Sequence, residues 1–156
     1  MNSKPLLNLV DRKIHEMERY SEITNRMLYE DIDGVGELLA ERQSIITAMD
    51  GISLDIKQYI SEQSMEHQDK LNKLMKFEDI GGLNGELLEL QKKISHVREL
   101  REKIVKDDAA AYDRFEKMRD ELREKLEQSA KGKQVINYFS GTNTNINKGK
   151  KLNISN

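Results

Sequence analysis

The sequence predicts an all-α fold, an elongated antiparallel helical bundle or coiled coil of three to four helices with a disordered C-terminal tail. Three observations carry that reading. The forty residues from Leu87 to Leu126 hold no Pro or Gly and repeat apolar side chains at three- and four-residue spacing. Charged residues make up 35% of the chain and aromatic residues 5%, which leaves few large side chains for a globular core. The one Pro stands at position 5, and a Pro inside a helix would cost about 3 kcal/mol.

The first helix begins near Pro5, which suits a first turn, with Ser3 or Asn2 available as its cap. Its stripe reads Leu7, Val10, Ile14, Met17, Ser21, Thr24 and Leu28, and the polar members Ser21 and Thr24 mark a thin or hydrated layer. Asp31 to Gly36 is a break or a loose helix start. A second amphipathic stretch follows through Val35, Leu38, Leu39, Arg42, Ile45, Ile46, Met49 and Ile52, with Gly51 as its stop. Alternatively the first helix runs on through this segment, because Gly costs only about 1 kcal/mol inside a helix.

Residues 54 to 77 form a third stretch, carried by Leu54, Ile56, Tyr59, Ile60, Leu71, Leu74 and Met75. Its centre, Ser61 to Lys70, offers only Met65 as an apolar residue and is expected to be mobile or exposed. Gly81, Gly82 and Gly85 then mark a flexible connection. The long helix follows, its stripe being Leu87, Leu90, Ile94, Val97, Arg101, Ile104, Asp108, Ala111, Phe115, Met118 and Leu122. At 1.5 Å per residue it spans roughly 60 Å. Lys131 and Gly132 close it, and Val135, Ile136, Tyr138 and Phe139 add a short apolar cluster. The chain thus divides into a helical domain over 1–140 and a disordered, basic, Asn-rich tail over 141–156.

Charge and composition exclude several function classes. Five lysines and no acids lie after Ala130, so the tail carries +5 and the preceding 130 residues, with 21 basic and 28 acidic groups, carry −7. An acidic body repels phosphate backbones and argues against nucleic-acid binding. Zero Cys removes disulfides, thiolate zinc sites and cysteine nucleophiles. No apolar stretch is long enough for a membrane span and Met1 to Leu9 lacks a signal-peptide core, so the expected location is cytoplasmic.

No constellation of catalytic or metal-ligating residues completes itself. Asp31-Ile-Asp33-Gly-Val35-Gly36 opens like a calcium loop, but Val35 and Arg42 stand where oxygen ligands belong. His15, His67 and His96 lack the Glu-x-x-His partner of a di-iron bundle and read as surface residues. Neither Gly132-Lys133 nor Gly149-Lys150 completes a phosphate loop. Asp108 stands in the apolar register, where it is either a base with a raised pKa or, more simply, the partner of an Arg such as Arg101 or Arg42. No catalytic residue, metal or cofactor is therefore expected.

What remains is surface chemistry. An amphipathic stripe receives another amphipathic helix through anchors at i, i+3, i+4 and i+7. Seven Met residues add adaptable packing, useful on such a surface and equally ordinary in a core. The cluster of Val135, Ile136, Tyr138 and Phe139 either folds back on the bundle or docks a partner.

The order of features resembles the flagellar export chaperones of the FlgN and FliT type. The residues that carry the likeness are Gly36-Glu-Leu-Leu-Ala-Glu-Arg42-Gln-Ser-Ile-Ile46, then Lys106-Asp-Asp-Ala-Ala-Ala-Tyr112-Asp-Arg-Phe115, then Lys131-Gly-Lys-Gln-Val-Ile-Asn-Tyr138. The resemblance implies a type III export chaperone that holds the terminal helices of a hook-associated or filament-cap protein and delivers it to the export gate. It places partner contacts on Phe115, Met118 and Leu122 and on Val135, Ile136, Tyr138 and Phe139. A non-secretory coiled-coil adaptor or dimeric scaffold is the alternative, and a homodimer stays open under either reading.

Overall fold

The computed structural model describes residues 2–129. Four helices follow one another, α1 (Lys4–Met27), α2 (Ile32–Ser61), α3 (Met65–Met75) and α4 (Gly85–Gln128), and no strand occurs among the described residues. The chain divides into two units, Met1–Asp108 and Ala109–Asn156. The first holds α1, α2, α3 and α4 as far as Asp108, and the described part of the second is the remainder of α4. The expected boundary at residue 140 lies outside the described residues.

Pro5 sits in the first turn of α1, where its missing N–H is no loss. Asn2 Oδ1 accepts from the Lys4 N–H at 3.1 Å, while the Ser3 N–H donates to Glu86 Oε2 of α4 at 2.8 Å. The start of α1 is thereby tied to the start of α4. Leu6, Leu7, Val10, Met17, Tyr20, Ile23 and Met27 are buried, and so are Ser21 and Thr24. This arc is wider than one heptad stripe because α1 packs on both α2 and α4.

The chain does break between α1 and α2. The Leu28 and Tyr29 N–H groups close the last turn on Asn25 and Arg26, and Asp31 caps α2 by accepting from the Gly34 N–H at 3.0 Å. Gly51, expected as a stop, lies inside α2, which runs on to Ser61. A helix continues through Gly when flanking residues pack, and Ile52, Ile56 and Ile60 are all buried. Leu39 and Leu54, counted in the apolar pattern, are exposed. Ser64 then caps α3 by accepting from the His67 N–H, so part of the segment expected to be mobile or exposed is a capped helix, with Met65 and most of its neighbours exposed.

α3 ends in a Schellman turn. The Phe77 N–H bonds Leu74 O and the Glu78 N–H bonds Lys73 O, each at 3.0 Å. The central position of that turn needs a left-handed backbone, and Phe77 adopts it with φ 63°. Gly usually occupies such a position, because a side chain there costs about 1 kcal/mol or more. The glycine-rich connection behaves as its composition predicts, Gly82 and Gly85 both having positive φ.

Contacts between helices fix direction. The Tyr59 hydroxyl of α2 bonds Asn2 O, and Arg42 bonds Tyr20, so α1 and α2 are antiparallel. Asp11 pairs with Lys93 and Ser21 accepts from Lys103, so the numbers climb together and α4 is parallel to α1. α1 and α2 show the expected antiparallel order, and α4 shares the direction of α1 for a simple reason. α3 and its return loop, anchored where Gln91 Nε2 donates to Ile80 O at 3.2 Å, bring the chain back to the end from which α1 set out. The core of this unit gathers Leu6, Leu7, Val10 and Met17 of α1, Ile52, Ile56 and Ile60 of α2, Leu71 and Leu74 of α3, and Leu90, Ile94 and Val97 of α4.

Candidate partner-binding site

In the second unit, α4 carries the sequence-predicted anchors from residue 109 onward. Alternate three- and four-residue steps place Phe115, Met118 and Leu122 in one row along this helix. Phe115 and Met118 are half-buried, whereas Leu122 is 48% exposed and Leu126 39% exposed. Tyr112 also stands in solvent, and a hydrogen bond to Glu116 raises the pKa of its hydroxyl. The row passes from half-buried at Phe115 and Met118 to exposed at Leu122. Val135, Ile136, Tyr138 and Phe139 lie outside the described residues, so three of the seven anchors can be placed.

The polar members of the α1 stripe belong to an inter-helix network in the first unit. Arg42 of α2 pairs its Nη2 with Asp108 Oδ1 of α4 at 3.2 Å. The Tyr20 hydroxyl accepts from Arg42 and donates to Asp108 Oδ2 at 2.8 Å, and the Thr24 hydroxyl reaches Asp108 Oδ1 at 3.4 Å. The Arg42 guanidinium also lies 4.6 Å from the centre of the Tyr20 ring. Burial raises the pKa of the Tyr20 hydroxyl, the bond to Asp108 adds to the rise, and the Arg42 charge opposes it. Every neighbour of the Asp108 carboxylate is a donor. That is the surrounding of an anchor between helices, and Arg42 is the partner that its register position calls for.

Arg101, also in the apolar register by spacing, is instead exposed. It stands near Lys13 of α1, whose ammonium pKa is lowered first by burial and then by the Arg101 charge. Beside it runs an open groove lined by Phe77, Arg98, Arg101, Glu102 and Val105, all within the first unit. Sequence reasoning missed this groove. Nothing in Lys76-Phe77-Glu78 announces a left-handed turn, since Gly is the residue that signals one.

The histidines serve local roles. His15 is exposed, His67 Nδ1 lies 2.9 Å from Ser64 Oγ at the α3 cap, and His96 lies between Glu18 at 3.5 Å and Glu99 at 3.8 Å. Among the described residues no three His, Cys, Asp or Glu side chains gather as a metal site, and no helix is long and apolar enough to cross a membrane. Comparison with known protein families, curated proteins and solved structures finds no match for this chain.

Proposed function

We propose that this protein is a binding protein for amphipathic helices, acting in the cytoplasm as a flagellar-type export chaperone. Its client is the terminal helix of a hook-associated or filament-cap protein, which it holds unassembled and passes to the export gate. One observation carries the reading. The row Phe115, Met118 and Leu122 opens from half-buried to exposed along α4, offering anchors at the spacing a helical partner uses. The coiled-coil character of α4, with a basic tail after Ala130, completes the proposal and would add electrostatic reach toward an acidic client or gate.

Affinity capture of the full chain from a flagellated host tests it. A stoichiometric complex with one flagellar protein is expected, and Leu122→Asp, which places a charge on the exposed end of the row, should lower the yield of that complex at least several-fold. Recovery of self-assembled protein alone, with residues 131–156 present or removed, would favour the scaffold reading and end this one.

A further inference from the structure

We propose that the surface formed by Phe77, Arg98, Arg101 and Val105 docks a helical segment of another protein whose apolar face is edged with carboxylates. This surface is separate from the Phe115 to Leu122 row and does not rest on the chaperone reading.

Shape points to a helix. Arg98, Arg101, Glu102 and Val105 occupy two successive turns of one face of α4, so they form a ridge of the kind that seats in the groove of a second helix. Val105 is 62% exposed although apolar, and Phe77 walls the other side. Phe77 holds a left-handed backbone, and its half-buried ring packs against the core at the edge of the groove.

Charge selects the edge of the partner. The first 108 residues contain 16 basic and 22 acidic groups, yet the rim here is cationic. Arg98 shares Glu102 at 3.5 Å, whereas among the described residues Arg101 and the nearby Lys13 have no carboxylate within ion-pair distance. An exposed Arg101 without an ion-pair partner in the groove, with the Lys13 charge near enough to be felt, favours an acidic neighbour. A second copy placed groove to groove would bring two like-charged rims together, which opposes that pairing.

Two designed three-heptad helical peptides test the idea on isotopically labelled full-length protein. One carries a Leu face edged with Glu, and the other has Lys in place of every Glu. The Glu peptide should shift the amide resonances of Phe77, Arg101 and Val105 and bind at least about tenfold more tightly than the Lys peptide. Arg101→Glu should abolish or reverse that preference. Val105→Asp, at an exposed position of the groove, should weaken binding of the Glu peptide while leaving the melting temperature within a few degrees of wild type. Equal affinity for the two peptides, shifts confined to other surfaces, or concentration-dependent shifts at the groove without peptide would overturn the proposal. A Val105→Asp variant that binds the Glu peptide unchanged would overturn it equally.

Discussion

Arg42 and Asp108 join α2 to α4 through a single ion pair of 3.2 Å, and the Tyr20 hydroxyl of α1 bridges the same two groups. Three helices are thus held in one register by one polar layer. Removing either charge strands the other in a half-buried setting, which costs more than the pair itself contributes. Asp108→Ala should destabilise the protein by about 2 kcal/mol, below the 3–5 kcal/mol of a fully buried pair because Asp108 is partly exposed. The double variant Arg42→Met with Asp108→Leu should recover much of that loss. Urea unfolding of the full mutant cycle measures it, and a coupling under about 0.5 kcal/mol would show the two residues to be independent.

Alkaline pH should weaken the same layer. Tyr20 holds its proton more tightly when folded, chiefly through burial, than a free tyrosine with its pKa near 10. Above that pH the unfolded chain releases the proton first, so the contribution is complete below about pH 10 and lost as pH rises beyond it. Tyr59, raised by burial and by Glu86, acts in the same direction. Tyr20→Phe should therefore flatten part of the alkaline fall in the urea midpoint. Identical slopes for wild type and variant would count against the buried hydroxyl.

Lys13 gives the opposite sign. Burial and Arg101 lower its folded pKa, so at neutral pH its charge opposes folding, and the penalty fades as pH climbs past the lowered value toward 10.5. Lys13→Met should raise the melting temperature at neutral pH, with the gain shrinking in strongly alkaline buffer. A variant less stable than wild type at neutral pH would contradict this.

Two glycines should respond oppositely to Ala. A Cβ at Gly51 meets nothing within 4 Å, and the site is mid-helix, so Gly51→Ala should stabilise by about 0.5–1 kcal/mol. Gly85 also has open space but holds φ at +56°, so Gly85→Ala should destabilise by about 1 kcal/mol. Thermal melts of the two variants make the comparison.

Leu71 is wholly buried among residues from all four helices. Leu71→Ala should cost about 2–5 kcal/mol by losing transfer energy and leaving a cavity. Calorimetry reads the effect, and a loss under about 1 kcal/mol would mean that α3 is peripheral to the core.

Much of this architecture was legible from residue spacing alone. The uninterrupted pattern from Leu87 to Leu126 does lie in one helix, and Asp31 does start another. Asp108 also read correctly, since a lone acid in an apolar register calls for a cation and Arg42 was among the few in range. Gly51 misled, because a local propensity of about 1 kcal/mol yields to the packing of Ile52, Ile56 and Ile60. The parallel course of α4 was hidden, since periodicity carries no direction and only the length of the α3 connection decides it. The Phe77 groove was hidden for a similar reason, being made by one backbone angle. Of the anchors that the resemblance implied, Phe115, Met118 and Leu122 share a row that the periodicity of α4 sets, and those after residue 130 lie outside the described residues.

The parallel pairing of α1 and α4 also sets an order of events in time. Lys93 meets Asp11 across 82 residues of intervening chain, while the α1–α2 hairpin closes over far fewer, as Arg42 to Tyr20 at a separation of 22 shows. Closing the longer loop costs more entropy and rewards it only once the intervening helices exist. The hairpin is therefore expected to assemble first and α4 to dock late. Destabilising substitutions at the α1–α4 seam, such as Asp11→Ala, should speed unfolding and leave the folding rate nearly unchanged, whereas substitutions between α1 and α2 should slow folding.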